Sequence, residues 1–331
     1  METRKIQKTG GSTYIISLPK QWADKVGITT GMRVGIRPQP DGNLLISPNI
    51  SERTPKRIVI DVTDLEGDPL EREIIAAYLS GNDVIELNSP KILADRKKVI
   101  RSVCYKLVGT EIVEETSKRV VIQNLLNQSD ISVKKTTQRM FLIAGSMFRD
   151  SVKALRTSDF DLASDVEQRD DEVDRLFLVI SRQFRSVVCG SGFVNESDIS
   201  VDEYHDLRMA ATPIERIADH AQKIARLILS KKPRYDDGTL RIIEEMSRKA
   251  ERISRQSVDA LFSSESGPAN KAIEEHADLI RMISDFSNTF RPESVDDPIS
   301  LRVIIDSIGR VADYSINIAE IAINASVAGR N

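Results

Sequence analysis

The stretch that decides the fold is IERIADHAQKIARLI, residues 214–228, which recurs in altered form 94 positions later as IGRVADYSINIAEIA, residues 308–322. In both stretches apolar residues return at alternating spacings of three and four, the pattern of a helix that packs one face into a bundle. Two differences between the copies change charge: Glu215 is replaced by Gly309, and Arg226 by Glu320. The sequence therefore predicts two related bundle helices with different polar surfaces.

The repetition extends upstream of these helices. RDSVKAL at 149–155 is echoed by RQSVDAL at 255–261, and VEQRDDEV at 166–173 by IEEHADLI at 273–280. The segment SKKPRYDDG, which starts at Ser230, contains Pro and Gly and interrupts the helical pattern. These echoes predict two three-helix repeats of about 100 residues, which we place at 131–232 and 233–331.

The segment 54–128 alternates strand and helix patterns and so predicts a central α/β domain. In order, the stretches are KRIVIDV, PLEREIIAAYLS, DVIELN, ADRKKVIRSVCYKLV, EIVEET and RVVIQNLL. The segment contains neither a glycine-rich phosphate loop nor a nucleophile elbow. We interpret it as a connector or sensory domain and assign it no ligand.

The first 50 residues predict a small β domain. RKIQKTGGSTYIISLPKQW contains two short strands around Gly10-Gly11 and then a short helix after Pro19 that ends at Gly27, and a second pair of strands follows. A unit of this size encloses little core, so we expect it to dimerise. It carries seven Lys or Arg against three acidic residues, a net charge of +4, whereas the rest of the chain carries 40 against 47, a net charge of -7. A basic head suits a polyanion, and an acidic body suits a cation.

Composition limits the class of protein. The 331 residues are 40% hydrophobic and 29% charged, with a mean hydropathy of -0.26. No apolar run approaches the roughly 20 residues of a membrane span, and the N-terminus METRKIQKTGG is polar. We therefore expect a cytoplasmic protein without membrane insertion. Cys104 and Cys189 are interpreted as structural thiols in a reducing compartment.

The stretch RKIQKTGGSTYIISLPKQWADKVGITTGMRVGI resembles the AbrB/MazE/SpoVT family of swapped-hairpin domains. The resemblance implies an interleaved homodimer that lays basic strands and loops on double-stranded DNA. It makes Arg4, Lys5, Lys8 and Lys20 the candidate phosphate contacts. The chain departs from the family at Ala23 and Asp24, where many regulators of this type carry paired arginines, so the resemblance supports DNA binding more strongly than sequence-specific binding.

The phrase ERIADHA, residues 215–221, in the last helix of a three-helix repeat, resembles the PhoU family of phosphate uptake regulators. With the N-terminal resemblance, the chain is similar to the archaeal type that joins an AbrB-like domain to PhoU. The PhoU resemblance implies Glu/Asp-x-x-x-Asp motifs that hold clusters of Fe, Mn, Zn or Mg ions. The candidate metal ligands are Asp170, Asp171, Asp174, Glu215, Asp219, Asp278, Asp313 and Glu320.

The helical spacing suits such a site, because Glu215 and Asp219 lie one turn apart on the outer face of their helix, and hard carboxylate oxygens suit these ions. Ordinary ion pairs are an open alternative, with Lys223 and Arg226 following Asp219 on the same helix. The second copy has lost the glutamate at Gly309, so each copy keeps half of the acidic face. We do not expect His205, His220 or His276 to be first-choice ligands.

Together the two resemblances imply a dimeric DNA-binding regulator of phosphate homeostasis whose PhoU-like body senses metal or phosphate status. The alternative is a signalling adaptor that binds a phosphate transporter or a kinase, with the N-terminal domain serving only dimerisation. We expect no enzymatic activity, because the sequence contains neither a His-Glu-x-x-His motif nor a P-loop, and no histidine has a glutamate three residues before it.

Overall fold

The structure is a computed structural model that describes residues 2–38, 42–48, 55–126, 131–188, 199–291 and 295–328. The chain divides into two compact units, residues 1–54 and 55–331. The finer boundaries predicted near 128 and 232 separate segments of the second unit and stay predictions. The order of the structural regions along the chain nevertheless agrees with the prediction from the sequence. A small β region is followed by an α/β sheet and then by a set of long helices.

The N-terminal unit consists of two antiparallel hairpins and one short helix. Strands β1 (Gln7–Thr9) and β2 (Thr13–Ile15) pair around Gly10 and Gly11, whose positive φ angles of 57° and 79° form the turn. Helix α1 spans Lys20–Lys25, and strands β3 (Gly35–Pro38) and β4 (Leu44–Ser47) form the second hairpin. The predicted four strands and one short helix are confirmed.

This unit has no core within one chain. Among residues 2–36, 38 and 42–48, whose burial the structure describes, no residue is buried. Large apolar side chains are open to solvent instead, including Tyr14 at 70% exposure, Ile6 at 66% and Ile36 at 61%. A unit with this much apolar surface gains little from folding alone, because burial of such side chains is the main favourable term.

The second unit begins with a two-layer α/β domain. Its elements in chain order are β5 (Arg57–Asp61), α2 (Gly67–Leu79), β6 (Val84–Asn88), α3 (Ala94–Lys106), β7 (Thr110–Glu115) and β8 (Arg119–Asn124). The sheet has the order β5-β6-β8-β7, with β5 and β6 parallel and the other neighbours antiparallel. The predicted alternation of strands and helices is confirmed, and a hairpin near Ser117 joins β7 to β8.

Buried apolar side chains of the strands and of α2 and α3 form the core of this domain, among them Ile60, Leu70, Ile74, Leu87 and Ile100. The thiol of Cys104 is buried there, and burial raises its pKa to about 12, which suits a structural residue. Cys189 lies outside the described residues.

Six long helices complete the second unit: α4 (Val133–Thr157), α5 (Phe160–Val188), α6 (Val201–Lys231), α7 (Asp237–Ser263), α8 (Ser266–Thr289) and α9 (Pro298–Ala328). Helices α4 and α7, which correspond in the two repeats, end in the same way. Their C-cap residues, Ser158 and Ser264, both adopt the left-handed conformation. The two predicted three-helix repeats are confirmed. None of the described helices combines the length and apolar character needed to cross a membrane.

The repeats share one hydrophobic core, in which the seams of α6 and α9 are buried. Ile214, Ile217 and Ala221 of α6 correspond to Ile308, Val311 and Ser315 of α9, and all six residues are buried. The polar member of this set is satisfied, because the Ser315 hydroxyl donates to the Val311 carbonyl at 2.7 Å and contacts the Ser254 hydroxyl at 2.8 Å. The 3-4 spacing therefore identified the buried faces correctly.

Arg182 of α5 connects the helical segment to the α/β domain. The side chain is 3% exposed, and its guanidinium donates to the carbonyl of Tyr78 and, at 2.9 Å, to that of Asn82. The same group lies 3.3 Å from Asp83 Oδ1 and 4.6 Å from the centroid of the Tyr78 ring. Both carbonyls lie at the C-terminal end of α2, so this single arginine binds a helix terminus from outside the domain.

Candidate functional site

Four predicted ligands come together on two helices of the first repeat. Asp170 and Asp174 lie one turn apart on α5, and Glu215 and Asp219 lie one turn apart on α6. Exposure increases across the group: Asp170 is buried at 8% exposure, Glu215 and Asp219 are half-buried, and Asp174 is exposed. The sequence placed Glu215 and Asp219 on the outer face of their helix, and the structure leaves both half-buried. The four carboxylates therefore range from buried at Asp170 to exposed at Asp174.

Three of the four carboxyl groups have raised pKa values because they lie close together and are partly withdrawn from water. Burial raises the pKa of the Asp170 carboxyl to about 7, and the negative charges of Asp174 and Asp219 add to the shift. Burial also raises the pKa of Glu215, followed by repulsion from Asp219. Asp174 shows the same direction for the same causes although its outer side is open to water. The four carboxylates therefore form an electrostatically unfavourable group.

Nearby cations offset this repulsion in part, and the one that pairs with Asp219 is not one that the sequence indicated. Arg216 Nη1 lies 2.9 Å from Asp219 Oδ2, and Arg216 Nε lies 3.5 Å from Glu215 Oε2. Arg226, which the sequence indicated, pairs with Glu167 at 2.9 Å, and its charge opposes the rise in the pKa of Asp170. The spacing of three between Arg216 and Asp219 was the available signal, since residues three apart on a helix are neighbours.

A lysine of the α/β domain also faces this region, which the sequence did not predict. Lys106 Nζ of α3 pairs with Glu71 Oε1 at 2.7 Å. The charges of Asp171 and Asp174 contribute to the raised pKa of Lys106, after the larger effect of its hydrogen bond to Glu71. Such a contact across separate domains leaves no spacing pattern in the sequence.

The second repeat does not form the corresponding group. Alignment of the repeats pairs Asp170 with Ala277, Asp174 with Arg281 and Glu215 with Gly309. Three of the four acidic positions are therefore lost, and only Asp313, the counterpart of Asp219, remains. The sequence predicted that each copy keeps half of the acidic face. The second copy keeps only one of the four acidic positions, which is less than half.

The remaining predicted ligands of this repeat are engaged elsewhere or isolated. Asp313 Oδ1 lies 2.9 Å from His276 Nε2, and Arg310 Nη1 is 3.5 Å from its Oδ2. Asp278 pairs with Arg281 of its own helix, and Glu320 is exposed. His276, which the sequence did not single out as a ligand, has a side chain only 23% exposed.

Packing does not exclude a side chain at Gly309. A Cβ placed there would lie 3.4 Å from Ile283 Cδ1 of α8, an ordinary van der Waals distance to the end of a flexible side chain. Nothing in the structure explains the loss of the glutamate at this position.

The first-repeat cluster offers carboxylate oxygens to a metal ion. Such donors suit a hard cation, and Asp170, at 8% exposure, lies close enough to Asp174 and Asp219 for their charges to raise its pKa further. As they stand, however, no three or more His, Cys, Asp or Glu side chains in the described part of the chain are arranged to hold a metal ion. The donor chemistry fits an ion, and the present side-chain positions do not.

The four candidate DNA contacts lie on the surface of the N-terminal unit. Arg4 and Lys5 precede β1, Lys8 lies within β1, and Lys20 is the first residue of α1. All four are exposed. Lys8 Nζ lies 5.9 Å from the centroid of the Tyr14 ring on the paired strand, and Arg4 pairs with Glu2.

Comparisons with known proteins agree with both resemblances. The model of the PhoU domain matches residues 137–228, and that of MazE, a bacterial antitoxin of the antidote-toxin recognition family, matches residues 7–54. No curated protein matches the chain. PhoU from Pseudomonas aeruginosa is a similar solved structure, with 18% identity, a TM-score of 0.47 and coverage of 60% of this chain and 96% of that one.

A second similar structure is the phosphate transport system regulatory protein PhoU from Streptococcus pneumoniae, with 13% identity and a TM-score of 0.48. That alignment covers 59% of this chain and 94% of the other. The PhoU-domain match lies within α4 to α6, the repeat that contains the acidic cluster, and the MazE match covers the basic N-terminal unit. The chain thus joins an N-terminal segment similar to MazE and AbrB domains to a helical body similar to PhoU.

Proposed function

We propose that this protein is a dimeric, DNA-binding regulator of phosphate homeostasis whose helical body senses metal or phosphate status. The observation that carries the proposal is the N-terminal unit, which is basic, matches the MazE model and has no buried residue among those described. Two copies that share one core would bury the apolar side chains that one copy exposes. The resulting dimer presents each basic residue twice, on a surface suited to the DNA backbone.

The helical body supplies the sensing part of the proposal. In the first repeat the negative charges of the cluster repel phosphate, so a cation has to bind before an anion approaches. Binding of a hard cation would draw Asp170, Asp174, Glu215 and Asp219 together and release Asp219 from Arg216. The gain is electrostatic, because the ion offsets the burial and mutual repulsion that already raise the pKa values of Asp170, Asp174 and Glu215. The protein then acts by binding rather than by catalysis, in the cytoplasm.

The deciding experiment is DNA retardation with the full chain, followed by mapping of its sites across the genome. Retardation of random and mapped duplexes, with affinity falling as salt rises, is the expected result. Sites beside phosphate-transport genes would support the regulatory role. A full chain that retards no duplex at low salt would contradict the DNA-binding function.

A second candidate function is a signalling adaptor, and one groove favours it. Between α4 and α7 a groove is lined by the half-buried side chains of Phe141 and Phe262, and Leu142 beside it is 68% exposed. Arg149 Nη1 and Glu251 Oε1 meet across this groove at 3.0 Å. An adaptor would use such a surface for a transporter component or a kinase. It would form dimers without retarding DNA, which separates it from the first proposal.

A further inference from the structure

Strand β5 lies at one edge of the central sheet. Within the part of the chain that the structure describes, it pairs with β6 alone. An edge strand presents a row of unpaired N–H and C=O groups that can hydrogen-bond to another strand. The side chain of Val59, in the middle of β5, is 58% exposed.

The ladder with β6 shows which backbone groups face outward. The N–H of Val84 donates to the Lys56 carbonyl at 3.1 Å, and the N–H of Val62 donates to the Asn88 carbonyl at 2.9 Å. In a parallel pair, alternate residues of a strand bond to one neighbour, so Ile58 and Ile60 also direct their N–H and C=O groups toward β6. The N–H and C=O groups of residues 57, 59 and 61 therefore point toward the free edge.

The sequence of β5, RIVID, is self-complementary about its central residue. If a second copy pairs antiparallel with Val59 opposite Val59, Arg57 lies opposite Asp61 and Ile58 opposite Ile60. Each outward N–H of one strand then meets an outward C=O of the other, which gives six hydrogen bonds across the two-fold axis. Every outward backbone group of the strand is satisfied in this one register.

The side chains favour the same arrangement. Arg57 is exposed and lies 3.4 Å from Glu86 on the open face of the sheet. Asp61 Oδ1 accepts from the N–H of Thr63 at 2.9 Å, which leaves Oδ2 for an arginine of the second copy. A parallel pairing in register would instead place like charges opposite each other, which is unfavourable.

We infer that β5 is an interface for a second copy of this chain, which joins two four-stranded sheets into one eight-stranded sheet. An edge of five residues is too small to hold a stable dimer by itself, so this inference rests on the proposed dimerisation of the N-terminal unit. Nine residues separate β4 from β5, a reach of at most about 35 Å. Two chains joined at their N-terminal units therefore hold their β5 strands at a high effective concentration.

Disulfide trapping in the full chain tests the inference. The Cα atoms of paired residues in such a register lie about 5.5 Å apart, within the range of a disulfide. Val59→Cys should therefore oxidise to a covalent dimer, roughly ten-fold or more above the control Val113→Cys. Val113 is 52% exposed on β7, the opposite edge strand of the same sheet. Wild type oxidised in parallel shows how much covalent dimer forms through the native Cys104 and Cys189.

Charge reversal adds a second measurement. Arg57→Asp in the Val59→Cys background should lower the trapped fraction, and adding Asp61→Arg should restore it, because the opposite charges face each other again. In the unmodified chain, the amides of residues 57, 59 and 61 should be protected from hydrogen exchange as strongly as those of residues 58 and 60. A chain that is dimeric by light scattering yet shows neither trapping nor this protection would overturn the β5 interface and leave the N-terminal dimer standing. A chain that stays monomeric would contradict both.

Discussion

Asp313 Oδ1 lies 2.9 Å from Nε2 of His276, so the aspartate of the second repeat is held by a side chain of the preceding helix. Its counterpart in the first repeat, Asp219, lies 2.9 Å from Arg216 of its own helix and faces three further carboxylates. The two repeats therefore share a backbone plan and differ in electrostatics.

The first prediction is that metal binds in the first repeat alone. Asp219→Asn should lower the metal content of the full chain, measured by elemental analysis after purification without chelator. Asp313→Asn is the matched control and should leave the content unchanged, because His276 and Arg310 already engage that carboxylate. An equal loss in both variants would mean that both repeats bind. Metal-free protein after anaerobic, metal-supplemented preparation would leave the ion-pair interpretation.

The second prediction concerns pH in metal-free protein. The Asp170 carboxyl has its pKa raised to about 7 in the folded chain, against about 3.9 when unfolded. Between these values the folded state binds more protons, so its stability falls as pH rises. Asp170→Asn removes the buried charge. At pH 8 its free energy of unfolding should therefore be about 1–3 kcal/mol higher than that of wild type, and at pH 4 the two values should differ little. Denaturant titrations at both pH values measure this, and a constant difference would contradict it.

The third prediction is that Arg182 holds the α/β domain to the helices. Arg182→Met should lower the free energy of unfolding by about 3 kcal/mol, because the carbonyls of Tyr78 and Asn82 and the carboxylate of Asp83 lose a buried donor. Amide exchange should rise around the C-terminal end of α2. Arg185→Ala, at an exposed position of the same helix, is the control and should change stability by under about 0.5 kcal/mol.

The fourth prediction is DNA binding through the basic unit. Each phosphate neutralised contributes about 0.9 to the slope of log affinity against log salt, and a dimer presents Lys8 twice. Lys8→Ala should therefore reduce this slope by up to about 2. It should also weaken binding to random and to mapped duplexes by similar amounts. Lys153→Ala, which removes the same charge from the exposed surface of α4, is the control. Equal slopes for wild type and both variants would favour the adaptor function.

The fifth prediction is that the N-terminal unit makes the dimer. Deletion of residues 1–54 should leave a folded second unit, because that unit has its own hydrophobic cores. Light scattering at micromolar concentration should then show a monomer, whereas the full chain should be a dimer. A truncated chain that stays dimeric would assign the pairing to the second unit instead.

Much of the fold was predictable because local patterns encode it. The 3-4 spacing of Ile214, Ile217 and Ala221 marked a buried helix face, and the internal repeat marked the second copy. The motif ERIADHA and the basic strand–turn–strand pattern were sufficient to identify both resemblances. Such signals are local, since helix and strand periods depend on residues a few positions apart.

The candidate site was predictable only in part. Spacing placed Glu215 and Asp219 on one helix face, and the resemblance supplied the acidic residues of α5. The burial of Asp170 and the approach of Lys106 depend on how separate elements pack.

The amino-acid sequence alone was thus sufficient to predict the order of the β, α/β and helical regions along the chain and the internal repeat. It also identified the basic N-terminal unit and the acidic residues of the helical body. Tertiary structure decided which of those acids meet, which cations oppose them, and that His276 holds Asp313. The physical reason is that charge interactions depend on distance and burial in three dimensions. Residues far apart in the chain acquire that distance only when α5 packs on α6 and α8 on α9.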